Sequence, residues 1–171
     1  MKYDYIFSGV GMAALMVLYE MKRSGLLAGK RILLIEPSEK NENNRTWCFW
    51  ENGIGDWDWL VAKSWSEGGF KNNEEFVECF SKDLIYKMIE SKTYYSQILD
   101  QLATCSEIEW KKERVSSFAE TAYGVEVNTE KNTYNGDILF NSILDINRLK
   151  NDKRYRLLLQ HFKGWFIKTS K

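Results

Sequence analysis

Apolar positions near the start of the chain fall into two short runs separated by a helical pattern. Tyr3–Phe7 reads as a strand and Ser8-Gly9-Val10-Gly11 as a turn. Met12–Ser24 reads as a helix, with Ala13, Leu15, Met16 and Tyr19 among its apolar positions and Gly25 as its stop. Ile32-Leu33-Leu34-Ile35 is apolar throughout, which suits a strand covered on both faces of a parallel sheet. Strand, helix and strand within about 35 residues make one βαβ unit.

The pattern then loosens. Pro37–Trp59 is polar and aromatic-rich and reads as a long loop, a length that is usually functional or disordered, and its tryptophans argue against disorder. Lys82–Ile89 reads as a strand. Thr93–Leu102 reads as a helix with Tyr95, Ile98, Leu99 and Leu102 on one face and Ser91 or Thr93 as its cap. Glu107–Trp110, Val115–Phe118, Val125–Val127 and Asn132–Tyr134 read as a short meander with polar turns. Gly136-Asp137 then leads into an apolar strand, Ile138–Phe140, and Leu157–Ile167 has strand-like content. There is no internal repeat.

Composition adds exclusions. The chain has 171 residues, 44% hydrophobic and 28% charged, so it can build a packed core. Lys+Arg and Asp+Glu are both 24, and a net charge of zero argues against nucleic acid as a partner. Three cysteines without a paired spacing and a single histidine, His161, exclude a structural zinc site and predict no metal. The simplest compartment is a reducing cytoplasm. Cys48 reads as a structural thiol, and His161 as a satisfied strand histidine. The longest uncharged run, Tyr5–Tyr19, is too short to cross a bilayer. Asp4 and two glycines spoil it as a secretion leader. Seven tryptophans, five of them between Trp47 and Trp65, predict an aromatic-lined core or cavity. Residues 147–171 hold eight basic residues and one acid, which is either a solvated basic face or a peripheral contact with the inner face of a membrane.

One motif carries chemistry. Gly9-Val10-Gly11-Met12-Ala13-Ala14 follows a strand and opens a helix, and Glu36 ends the next strand. This is the dinucleotide-binding fingerprint in its proper context. Gly9 permits the tight turn, and Gly11 lets backbone approach a pyrophosphate. Ala14 is small enough for helix–strand contact. The helix N-terminus offers N–H groups and partial positive charge to the phosphates, and Glu36 accepts from a ribose. The motif alone does not separate FAD from NAD(P); its place at the N-terminus favours FAD. Arg45 is a candidate for the cofactor phosphates, with Trp47 and Phe49 as candidate flavin or substrate contacts. The other reading of Arg45–Trp50 is a tryptophan-rich loop packed on its own domain.

These features together resemble the flavin-dependent lycopene β-cyclase family. The resemblance rests on Tyr3-Asp4-Tyr5-Ile6 leading into Gly9–Ala14, on Asn44-Arg45-Thr46-Trp47-Cys48-Phe49-Trp50, on Tyr86-Lys87-Met88-Ile89 through Tyr95, and on Leu159-Gln160-His161-Phe162-Lys163-Gly164-Trp165. It implies a redox-neutral cyclisation of the ψ end groups of lycopene to β-ionone rings, with reduced FAD beside the cation and NAD(P)H as reductant. An aromatic pocket suits a polyene and a carbocation. The chain matches about the N-terminal half of a family member. The family's acidic motif, of Phe-Leu-Glu-Glu-Thr type, does not appear in it, so no catalytic residue carries over and these residues by themselves are expected to be inactive. The expected fold is α/β. A Rossmann-like FAD/NAD(P)-binding unit takes residues 1–60 and 130–145, and a β-rich substrate-facing region takes 61–129 and 146–171. The rivals are a flavin oxidoreductase of polyprenyl reductase or monooxygenase type, and a non-catalytic nucleotide-binding fragment.

Overall fold

The computed structural model describes residues 2–78, 83–144 and 146–158. In chain order the strands are β1 (Lys2–Ser8), β2 (Ile32–Ile35), β3 (Thr46–Asn52), β4 (Val61–Trp65), β5 (Gly69–Lys71), β6 (Phe76–Glu78), β7 (Leu84–Glu90), β8 (Ile108–Lys111), β9 (Val115–Thr121), β10 (Gly124–Thr129) and β11 (Thr133–Asn141). The helices are α1 (Met12–Arg23), α2 (Ser91–Leu102) and α3 (Ile146–Asn151). His161, Cys79, most of the strand expected over Leu157–Ile167 and the Leu159–Trp165 motif lie outside the described residues.

β1, α1 and β2 form the expected βαβ unit. β1 runs parallel to β2, with Tyr5 opposite Ile32 and Ser8 opposite Ile35. All of β2 is buried because the sheet is covered on both faces. Ile32 and Leu34 join the core formed with α1 and α2, which includes Leu15, Leu18, Ile98 and Leu102. Leu33 and Ile35 point the other way, towards Val125 and Val127 of the meander. The alternation along four apolar residues thus feeds two cores.

The six-stranded sheet has the order β8-β2-β1-β11-β10-β9. It corrects the expected meander in two ways. Glu107–Trp110 is not its first strand: β8 is a parallel edge strand, with Ile32 opposite Ile108. Asn132–Tyr134 and Ile138–Phe140 are not two strands but one, β11, which runs parallel to β1 from Lys2–Asn135 to Ser8–Asn141. Gly136-Asp137 lies inside β11. It is extended backbone over which Ile6 packs, and a Cβ on Gly136 would lie 2.8 Å from Ile6 Cδ1. The sheet therefore includes β8, β9 and β10, residues expected in the substrate-facing region. Burial of Leu33 and Ile35 needs that cover.

The expected loop Pro37–Trp59 is shorter than the sequence pattern suggested, because β3 occupies Thr46–Asn52. β3 and β4 flank β7 in a three-stranded antiparallel sheet, and β5 pairs with β6 in a small hairpin. Trp47, Phe49 and Glu51 are half-buried, while Thr46, Cys48, Trp50 and Asn52 are exposed. Trp47 and Trp57 pack against the main core, whereas Trp50 and Trp59 are each 46% exposed. The tryptophans are thus divided between an inner and an outer face.

Lys87, on β7, is buried and ties this region together. Its Nζ donates to Glu51 Oε2 at 2.8 Å, Asp58 Oδ1 at 2.5 Å and the Gly53 carbonyl at 2.7 Å. Burial pulls its pKa down, but the hydrogen bonds it donates to Asp58 and Glu51 more than offset this and raise it. Lys87→Met should leave two carboxylates without their shared cation. Thermal unfolding should then lower the melting temperature by several degrees, whereas an unchanged midpoint would show the clasp to be idle.

Two smaller features give further tests. Ser8 Oγ is buried with no hydrogen-bond partner among the described residues. An unpaired buried hydroxyl costs stability, so Ser8→Ala is expected to leave the melting temperature unchanged or raised. Glu113 accepts from Thr129 Oγ1 at 2.6 Å, Asn132 Nδ2 at 2.8 Å and Tyr134 OH at 3.0 Å. The Thr129 hydrogen bond does most to lower its pKa below the usual 4.5, with burial opposing. A carboxylate with a depressed folded-state pKa stabilises the fold above its unfolded value and loses that contribution as pH falls. Melting temperature should therefore drop below about pH 4.5, and Glu113→Gln should flatten that drop.

Candidate functional site

Where β1 ends, the Gly9 N–H donates to the Ile35 carbonyl at 3.0 Å, and the Ser142 N–H donates to the Ser8 carbonyl at 2.8 Å. The turn is thus fixed between β2 and the residue that follows β11. Gly9 has φ +81°, in the left-handed region that glycine enters without strain. Gly11 is the N-cap of α1 and is extended, with φ −88° and ψ −170°. No side chain caps α1, and its ladder begins with Leu15 N–H to the Gly11 carbonyl at 3.1 Å. A Cβ on Gly11 would meet nothing within 4 Å. The turn therefore presents open space beside the positive end of a helix.

That space belongs to a cleft of about 530 Å³, within the range of small-molecule sites. It brings together Gly9, Gly11, Met12, Glu36, Arg45 and Trp47. Ala14 is buried in the core behind the turn, as a helix–strand contact requires. Ala13 is exposed and does not line the cleft. Phe49 does not line it either: β3 leads away from the glycine turn, and Phe49 packs against the main core two residues beyond Trp47. The expectation that Phe49 faces the cavity does not hold for this cleft.

Glu36 is 7% exposed. Its Oε2 accepts from the Val10 N–H at 3.0 Å and pairs with Lys40 Nζ at 3.0 Å. Its Oε1 accepts from the Ser38 N–H at 3.0 Å and Ser38 Oγ at 2.6 Å. Burial pushes its pKa up, but the hydrogen bonds from Ser38, Val10 and Lys40 outweigh it and hold the carboxyl below its usual value. Glu36 is therefore an ionised acceptor and not a proton donor.

Arg45 is positioned by α2. Its N–H donates to Ser91 Oγ at 3.0 Å, and its carbonyl accepts from the Ser91 N–H at 3.0 Å. Ser91 also donates to the Glu42 carbonyl at 3.2 Å. Ser91 was expected to cap α2. Instead Glu90 is the N-cap, without a side-chain hydrogen bond, and the Ser91 hydroxyl clamps the loop before β3. Thr93 lies inside the helix.

Several cleft residues were not singled out from sequence: Lys40, Tyr95, Arg114 and Ser142. Lys40 lies four residues after Glu36, a charge spacing that offered one signal. Arg114 comes from a distant segment and offered none, and Tyr95 read only as an apolar position of α2. Lys40, Arg45 and Arg114 make the cleft a receptor for negative charge. Trp47 and Tyr95 meet edge to face at 5.7 Å and give it an aromatic wall.

The profile of the family described as "Lycopene cyclase protein" matches residues 4–171. The chain belongs to the lycopene cyclase family. No curated protein sequence matches it. Among solved structures, pqsL, a probable FAD-dependent monooxygenase from Pseudomonas aeruginosa, is similar with a TM-score of 0.55 at 11% identity, over 81% of this chain and 42% of that one. The halogenase PltM gives 0.57 at 12%, over 82% of this chain and 34% of that one. The flavin-dependent brominase Bmp2 gives 0.59 at 11%, over 87% and 40%. One PltM structure is a complex with phloroglucinol and FAD. At these identities the likeness is one of fold, a Rossmann-like α/β arrangement. This lycopene cyclase family chain spans well under half the length of those structures. No helix among its described residues is long and apolar enough to cross a membrane.

Proposed function

We propose that this cleft binds FAD, and that the chain is the dinucleotide-binding part of an enzyme that cyclises the ψ end groups of lycopene. The observation that carries the reading is the meeting of the Gly9–Gly11 turn, the α1 N-terminus, Glu36 and Arg45 in one cleft, in a chain of the lycopene cyclase family. The residues fit the cofactor. The open space at Gly11 admits a pyrophosphate beside free helix N–H groups. Arg45 and Arg114 supply counter-charge, and Glu36 supplies an acceptor for a ribose.

When bound in its reduced form, with NAD(P)H as the reductant, FAD supplies electron density beside a developing carbocation. The chain's own residues orient and exclude. Trp47 presents aromatic surface that displaces water and accepts an apolar chain. Its π face tolerates positive charge nearby, and a dry site protects a cation from capture. Glu36, already ionised, does not supply the proton. We assign access to a membrane-dissolved polyene to the basic segment 147–171.

The test has two parts. Titration of the chain into FAD, followed by flavin fluorescence, should show saturable quenching; no quenching at millimolar protein would end the cofactor reading. A family-length protein carrying these 171 residues at its N-terminus should convert lycopene, in cells that accumulate it, into products of unchanged mass. Hydrogenated or oxygenated products would favour the reductase or monooxygenase reading instead.

A further inference from the structure

Glu36 has no acceptor site to spare. A carboxylate offers about four lone-pair positions. Here they are met by the Val10 N–H, Lys40 Nζ, the Ser38 N–H and Ser38 Oγ. An adenosine ribose that reaches this carboxylate must replace one of them. The two backbone donors are fixed, since Val10 belongs to the glycine turn and Ser38 N–H lies two residues from Glu36 itself. Ser38 Oγ sits on the same short loop, at 2.6 Å.

Lys40 is different. It is a long, flexible side chain with three donors. Its Nζ lies 3.0 Å from Glu36 Oε2, 3.1 Å from Ser38 Oγ and 5.6 Å from the centre of the Tyr95 ring. It lines both the main cleft and a polar pocket beside it, formed by the Pro37–Arg45 loop, Tyr95 and Lys112. It can therefore leave Glu36 without leaving the site.

We propose that Lys40 is an exchangeable cation: a ribose hydroxyl takes its place on Glu36, and its ammonium turns to the dinucleotide's phosphates. This rests on the adenine-dinucleotide reading of the cleft given above. The exchange has a directional consequence. Lys40 competes with the ribose for Glu36, which opposes binding of an uncharged nucleoside. Once displaced it pairs with phosphate, which favours binding of a nucleotide. A residue that only props Glu36 in place would affect both ligands alike.

The test uses the 171-residue chain with ADP and adenosine as probes. ADP is followed by calorimetry and adenosine by saturation-transfer NMR, which reaches weak binding. Lys40→Met should lower ADP affinity about tenfold, the scale of one charge-assisted hydrogen bond, and should leave adenosine affinity equal or higher. Lys40→Arg should retain ADP binding, and Ser38→Ala should not reproduce the divergence. Equal losses for both ligands, or no loss for ADP, would overturn the exchange. Should Lys40→Met fail to fold, the ammonium resonance of Lys40 in the unmodified chain decides: it must shift on adding either ligand, and a resonance unmoved by both refutes the exchange. If the unmodified chain binds neither probe, the dinucleotide reading itself has failed; if it binds both and the variants show no divergence, only the exchange has.

Discussion

Gly11→Val is expected to abolish FAD binding while leaving the fold intact. The two consequences separate because of where Gly11 sits. Its φ of −88° is open to any residue, and a Cβ there meets no neighbour within 4 Å. The folded chain therefore loses nothing by accepting a side chain. The space that receives it is the cleft between the glycine turn and Glu36, where a pyrophosphate must approach backbone N–H groups closely. A branched side chain there blocks both contact and charge neutralisation, and the affinity loss should exceed about 100-fold, or roughly 3 kcal/mol. Flavin fluorescence titration gives the affinity and thermal unfolding gives the stability. Gly9→Val is the contrasting variant. Gly9 has φ +81°, and its Cβ would lie 3.4 Å from Ser142 Cβ. That substitution should lower the melting temperature as well, through backbone strain. If Gly11→Val kept its flavin, the phosphates would lie elsewhere and the fingerprint reading would be wrong.

The same residues show what could be read from sequence and what could not. The βαβ unit was legible because its signals are local: two apolar runs, a glycine turn and a terminating glycine within a short stretch. Glu36 was legible because the fingerprint fixes its distance along the chain. β3 was not, because Thr46-Trp47-Cys48-Phe49-Trp50 is apolar on both faces and shows no period of two. Its partner, β7, begins more than thirty residues later, so pairing rather than pattern makes it a strand. β8 was assigned to the wrong neighbour for a related reason, since a four-residue strand carries no mark of parallel or antiparallel pairing. The cleft's additional charges were also hidden. Lys40, Arg114 and Tyr95 come from three loops or helices that only the closed sheet brings together. Phe49 was placed by proximity in sequence to Trp47, but a strand moves about 6.6 Å between same-face residues, enough to carry Phe49 out of the cleft and into the core.

Tyr94 joins the site to the core. It is fully buried on the inner face of α2. Its hydroxyl donates to the Met12 carbonyl at 3.1 Å, which ties α2 to the first turn of α1. Burial pushes the phenol far above its ordinary pKa, so it remains a neutral donor. Its ring meets Trp47 edge to face at 5.4 Å, Tyr95 at 5.8 Å and Trp57 at 6.1 Å. One side chain therefore joins the glycine turn, the aromatic wall of the cleft and the segment that Lys87 clasps. Tyr94→Ala removes a large buried ring and leaves a cavity, which costs about 3–5 kcal/mol. In a chain of this length that should lower the melting temperature by roughly 10 °C. Tyr94→Phe keeps the ring and removes only the donor, so its cost should be about 1 kcal/mol. The expected order in unfolding midpoint is unmodified chain, then Tyr94→Phe, then Tyr94→Ala. Because Met12 lines the cleft, FAD affinity in Tyr94→Phe should fall although the fold persists. A midpoint for Tyr94→Ala within about 2 °C of the unmodified chain, well short of a cavity's cost, would mean that the ring is not the packing centre and that α1 and α2 are held by other contacts.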